Sequence, residues 1–146
     1  MRKVVLGVGG ALLLAVTMVA CQTRAESGED PHPNMSHGEN PSFATPDNPV
    51  SSPSGEFVME IEPGFEGEVY INRFHVLTEA GETVFVATRA YRTRDRLYFC
   101  WDDSDNIWVY SGDVGTSVWV KDELVWTEEA PGTRAMPPAL REALGK

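Results

Sequence analysis

Between Phe57 and Trp126 large apolar residues recur at every second position, and this period constrains the fold more than any other feature. Phe57, Met59 and Ile61 alternate with Glu60 and Glu62, and Leu97, Phe99 and Trp101 alternate with Tyr98 and Cys100. Ile107 and Val109 alternate with Trp108 and Tyr110, and Val118 and Val120 alternate with Trp119 and Lys121. A period of two sends neighbouring side chains to opposite faces of an extended strand, whose pleated surface suits aromatic and β-branched residues. Turn-forming clusters break the pattern at Glu62-Pro63-Gly64, Glu79 to Glu82, Thr93-Arg94-Asp95, Asp102 to Asn106, Ser111-Gly112-Asp113 and Lys121-Asp122-Glu123. The expected strands are about 56–62, 67–78, 82–92, 96–101, 106–111, 116–121 and 124–127. The fold class is therefore all-β: a small antiparallel meander of six or seven strands, forming a barrel or a sandwich. Val69 to Leu77 is apolar on both parities, as in a central strand or one with a bulge.

The ends of the chain read differently. Met136 to Lys146 carries Pro137 and Pro138 before, and Gly145 after, a stretch with Leu140, Ala143 and Leu144 on one side. These are the flanks of a short helix, which is unstable alone in water and is expected to dock on the sheet. At the other end, Arg2 and Lys3 precede an uncharged run from Val4 to Val19, shorter than the ~20 residues a spanning helix needs. The stretch Met18-Val19-Ala20-Cys21 resembles a bacterial lipobox, with Met18 standing where Leu is usual. The resemblance covers residues 1–21 only. It implies a signal peptide over 1–20 and acylation of Cys21 (palmitate-type chains), which hold a protein on a membrane durably. Gln22 after the cysteine implies outer-membrane sorting facing the periplasm in a two-membrane bacterium, or the outer face of the plasma membrane in a one-membrane one.

Residues 25–55 contain six Pro, six Ser, three Gly and three Asn, with no 2- or 3.6-residue period. With Cys21 they are expected to form a disordered tether over 21–55, followed by the β domain at 56–129 and an extension at 130–146. His32, Met35 and His37 are soft metal ligands, but nothing in the tether orients them, and no metal or other cofactor is expected.

Charge narrows the partners. The chain carries a formal −10, and residues 56–129 hold six basic against sixteen acidic residues, so a nucleic acid is not expected as partner. Arg92, Arg94 and Arg96 share parity around a turn and suit an anionic group on a partner, or else cross-strand pairing with Glu and Asp. Trp108, Tyr110 and Trp119 lie opposite Ile107, Val109, Val118 and Val120 in parity. If the aliphatics face the core, the three rings form an outer contact platform; the reverse assignment puts the rings inside. Asp102 to Asn106 fits a Ca²⁺ loop in part, although Ile107 stands where the sharp turn needs Gly, and a polar hairpin turn explains it better.

Catalytic signatures such as G-x-S-x-G, H-E-x-x-H, a P-loop or CxxC are missing from the sequence. If Cys21 is acylated, Cys100 has no disulfide partner, and its apolar strand marks it as a buried hydrophobe. The sequence thus points away from an enzyme. It points to an exported, lipid-anchored β domain binding a macromolecular partner at the cell envelope. An envelope glycan-binding module using the Trp/Tyr face and a small hydrolase are the alternatives.

Overall fold

A computed structural model of the chain describes residues 42–146. The signal segment 1–20, the acylation site Cys21 and the tether as far as residue 41, including His32, Met35 and His37, lie outside the described residues. Those described form nine strands and one helix: β1 (Val50–Ser51), β2 (Phe57–Glu66), β3 (Val69–Thr78), β4 (Thr83–Val86), β5 (Tyr91–Arg92), β6 (Leu97–Trp101), β7 (Ile107–Ser111), β8 (Gly115–Asp122), β9 (Val125–Glu129) and α1 (Pro138–Ala143).

The strands make two antiparallel sheets packed as a sandwich, not a closed barrel. The first has the order β1-β2-β3-β4, with β5 pairing further along β3, and the second is the meander β6-β7-β8-β9. The core between them joins Phe57, Met59, Ile61, Phe74 and Val76 to Phe99, Ile107, Val109, Trp119 and Trp126. Its rings meet edge to face, as Phe74 does with Trp119 at 5.1 Å and Phe57 with Trp126 at 5.3 Å. This geometry sets the positive ring edge against the negative ring face. A few large aromatics thus fill a core that has no disulfide among the described residues.

A second buried cluster lies on the other face of the second sheet. There Cys100, Trp108 and Val118 are capped by Phe43 from the N-terminal side and Leu140 from α1. The helix ends in a Schellman cap: Gly145 takes φ 67°, Gly145 N–H donates to Glu142 and Lys146 N–H donates to Arg141. As expected, the short helix docks on the sheet, and Leu140 is its fully buried anchor.

Three expectations need correction. Residues 42–55 belong to the folded domain and not to the tether. Ala44 N–H donates to Phe99 on the edge of β6, Val50 and Ser51 pair with Met59 and Val58 of β2, and the Trp101 indole donates to the Val50 carbonyl. The proline-rich composition hid a strap that crosses from one sheet to the other and buries Phe43 and Ala44. Pro46, Pro49 and Pro53 are compatible with it because it holds only a few main-chain bonds.

The second correction concerns β2, which runs straight through the expected turn at Glu62-Pro63-Gly64. Pro63 sits on an edge strand, where its missing N–H breaks no ladder. The chain reverses instead at Gly67-Glu68, between paired Glu66 and Val69. Gly67 there takes φ 63° while Glu68 keeps a negative φ, the pattern of a type II′ turn. Third, the expected strand 82–92 is split into β4 and β5, which pair with different stretches of β3. Between them the chain leaves the sheet, and Arg89 reaches Glu128 of β9 at 3.1 Å.

Candidate functional site

The aromatic platform does not exist. Register pairs Trp108 with Val118 and Trp119 with Ile107, so the two indoles lie on opposite faces of the second sheet. Trp119 points into the core between the sheets and Trp108 into the cluster under α1, and both are buried. Tyr110 packs half-buried at the rim of the second cluster, 6.1 Å from Tyr98. The error came from assuming one core face per strand. The second sheet has apolar layers on both sides, so parity separated two cores and not core from solvent.

Every indole N–H of the chain has a partner inside the fold. Trp101 donates to Val50, Trp119 to the Tyr91 hydroxyl, Trp126 to the Asp105 carbonyl and Trp108 to Asp102 Oδ2. Two of these end in the acidic turn between β6 and β7. Asp102 also accepts from the main-chain N–H groups of Ser104 and Asn106 and from the Asn106 amide. Asp105, at φ 58°, accepts the Ser54 N–H, and the Asn106 side chain accepts the Lys121 N–H. Asp102 and Asp105, which looked able to hold Ca²⁺, are thus committed to donors from the strap, the turn itself and β7, while the Asn106 amide takes a donor from β8. The turn is a structural joint, and this is why it is so rich in Asp and Asn.

Cys100 is buried against Trp108 and Val118. Burial, and secondarily the charge of Asp102, pushes its thiol up to about 12, so at neutral pH it is an un-ionised filler without nucleophilic character. Arg92, Arg94 and Arg96 are all exposed, at the end of β5 and in the turn before β6. The cross-strand pairing considered for them is not seen: among the described residues the ion pairs are His75–Glu62, Arg89–Glu128 and Arg134–Glu129.

What the sequence did not single out is the outer face of the first sheet. Residues of one parity on β2 (Val58, Glu60, Glu62, Glu66) and β3 (Val69, Ile71, Arg73, His75, Leu77) lie there, joined by Val86 of β4 and Arg92 of β5 through their register. None of its apolar members belongs to either buried cluster, and Val69 and Val86 are plainly exposed. The face is graded in charge, with Glu60, Glu62 and Glu66 along β2 and Arg73 and Arg92 towards the other side. His75 Nε2 sits 2.8 Å from Glu62 Oε2, off-line for a hydrogen bond, and makes a charge contact when the imidazole is protonated. Beside it an open cleft of about 320 Å³ is lined by Glu60, Ile61, Glu62, Pro63 and His75.

The β2–β3 hairpin carries this sheet past the end of the core. The cross-strand pair Phe65 and Tyr70 continues the inward-facing row of Ile61 and Phe74, beyond the reach of the second sheet as the described residues form it. Phe65 is 63% exposed, and its ring lies 4.2 Å from that of Tyr70. The one signal for this region in the sequence was the double-sided apolarity of Val69 to Leu77. It marks a strand with one face in the core and one face outside both buried clusters.

Among the described residues no helix is long and apolar enough to cross a membrane, and no group of three or more His, Cys, Asp or Glu residues is placed to hold a metal ion. No family model matches the chain, and no curated protein or solved structure matches it.

Proposed function

We propose that this chain is an exported, lipid-anchored β-sandwich that binds a protein partner at the cell envelope without catalysing a reaction. The observation that carries the binding part is the bare outer face of the first sheet. On its central strand β3 the aliphatics Val69, Ile71 and Leu77 are interleaved with Arg73 and His75, with carboxylates along β2 on one flank and Val86 and Arg92 on the other. Solvent-facing aliphatics mixed with charges of both signs suit a protein contact surface, where complementary charges select the partner. Arg92 lies on the β5 side of this face and keeps the recognition role the sequence proposed for it, now on a different surface. The glycan reading loses its support, because the Trp108 and Trp119 rings it relied on are buried.

The anchor part rests on the lipobox-like Met18-Val19-Ala20-Cys21 and the positive residues before it. Replacing Cys21 with Ser is expected to move the protein from the membrane pellet to the soluble fraction, or to stall its processing. Unchanged retention and unchanged processing would overturn the anchor. A photo-crosslinking residue placed at Leu77 or Val86 in cells is expected to give one discrete adduct with an envelope protein. No adduct from either position would overturn the binding reading.

A further inference from the structure

The first sheet has an edge as well as a face, and the edge is open. β1 covers β2 only at Val58 and Met59, and among the described residues no strand pairs with β2 on that side from Glu60 to Glu66. The direction of the main-chain groups follows from bonds already present. Phe57 accepts the Ser52 N–H on the β1 side, so in a regular strand Met59, Ile61, Pro63 and Phe65 turn the same way. The far side of the ladder agrees. The Phe74 carbonyl accepts from Ala87 and the Tyr70 carbonyl from Thr93, so both point away from β2. Ile61–Phe74 and Phe65–Tyr70 are therefore pairs without mutual hydrogen bonds, which also explains the close rings of Phe65 and Tyr70. Ile61 and Phe65 each present an N–H and a C=O to the open edge, and Pro63 presents a C=O.

We infer that this edge accepts an extended segment of the partner as an added antiparallel strand, with basic and apolar residues in alternation. The inference rests on the protein-binding reading above and names its chemistry. A strand added here places one set of side chains on the outer face beside Glu60, Glu62 and Glu66, and the other set beside Pro63 and the Phe65–Tyr70 pair. Among the described residues no ion pair holds Glu60 or Glu66, and Glu68 adds a further carboxylate at the hairpin tip. The same charges oppose a second copy: antiparallel pairing of β2 with itself about Pro63 sets Glu60 against Glu66. Pro63 leaves a gap in the donors that a like edge shares and a chosen partner strand tolerates.

The parity gives an unusual handle. In the added strand the apolar residues, being on the same side as Pro63 and Phe65, are the ones whose main-chain groups bond to β2. The basic residues turn theirs to solvent. The probe is a capped octapeptide alternating Lys and Val, titrated into the full chain in detergent. Binding is expected to slow amide exchange at Ile61 and Phe65 at least about tenfold, because a new ladder protects both N–H groups. N-methylation of the Val residues is expected to abolish binding, and N-methylation of the Lys residues to leave it. The double variant Glu60→Lys with Glu66→Lys is expected to weaken binding roughly tenfold with unchanged circular dichroism.

Binding that leaves Ile61 and Phe65 exchange unchanged would overturn the inference in favour of loose charge attraction. Equal loss from the two methylated peptides, or equal binding of a Glu/Val octapeptide, would overturn it as well. Protection of both amides by self-association, seen without peptide, would assign the edge to a second copy and overturn it too. These failures are separable from failure of the broader reading. A discrete adduct at Leu77 or Val86 combined with unprotected Ile61 and Phe65 keeps a partner on the face and removes the added strand.

Discussion

The two sheets of the sandwich share one core but differ in what lies behind them. The second sheet is backed by Phe43 and α1, which bury Cys100, Trp108 and Val118 on its outer side. Among the described residues nothing backs the first sheet: its outer side carries Ile71, Leu77 and Val86 among Glu60, Glu62, Arg73 and His75, all in contact with solvent to some degree. The composition of each outer row fits its surroundings. A layer sealed by a helix is filled with large rings and small aliphatics, whereas the open layer mixes aliphatics with charges of both signs. The cover on one sheet supplies stability; the lack of cover on the other supplies a surface.

The largest test of this contrast is Trp108→Ala. It empties a fully buried site under the helix and leaves Asp102 without its indole donor, so a loss of about 3–5 kcal/mol is expected in denaturant unfolding. A loss below about 1 kcal/mol would show that the layer under α1 is loose and that the two outer faces do not differ in kind.

The sequence made the strands and most reversals legible, because a period of two and the Gly, Asp and Asn clusters act locally. It made the sides of those strands much less legible. Trp108 and Trp119 have the same parity relation to their aliphatic neighbours, yet register sends them to different layers. Parity sorts side chains into two sets but does not say how many layers the finished fold has. The strap was missed for a related reason: Phe43 and Val50 are isolated hydrophobes in a Pro- and Ser-rich stretch. What orders them is a set of partners far along the chain, Phe99 and Trp101 among them. Pro63 misled in the opposite direction, since a proline that stops a central strand is harmless on an edge.

A second test uses pH and the covered layer alone. Below pH 9.0, the ordinary value for a thiol here, Cys100 is protonated whether the chain is folded or not. Above it the unfolded chain gives up the proton, while the folded chain keeps it until about 12. The unfolded state then binds fewer protons, and stability falls by about 1.4 kcal/mol for each further pH unit. Burial raises Tyr91 from its ordinary 10.0 in the same way, so between pH 9 and 10 the slope belongs mainly to Cys100. Cys100→Ala is expected to flatten the unfolding midpoint in that window and to leave only the shallower Tyr91 slope above it. An unchanged slope in the variant would mean that water reaches the thiol and the helix does not seal the layer.

The smallest expected effect falls on the open side, and its smallness is the point. Phe65 is a large aromatic at the end of a ten-residue strand, and a residue of that size in the core would be costly to remove. Here its ring touches Tyr70 and is mostly exposed. One exposed cross-strand pair contributes about 0.5 kcal/mol, so Phe65→Ala is expected to lower stability by that much or less. The edge groups of Phe65 are main-chain groups and survive the substitution, so the ladder offered to a partner strand is unchanged and only the apolar contact beside it is lost. The variant should therefore separate two quantities that core substitutions move together, leaving the unfolding midpoint nearly in place while weakening the Lys/Val octapeptide about fivefold, the worth of one well-placed aromatic contact. A stability loss of 2 kcal/mol or more, on the order of a buried aromatic, would show that the hairpin tip is packed in the folded chain. The bare sheet would then have a cover of its own, and the contrast between the two faces would fail at its open end.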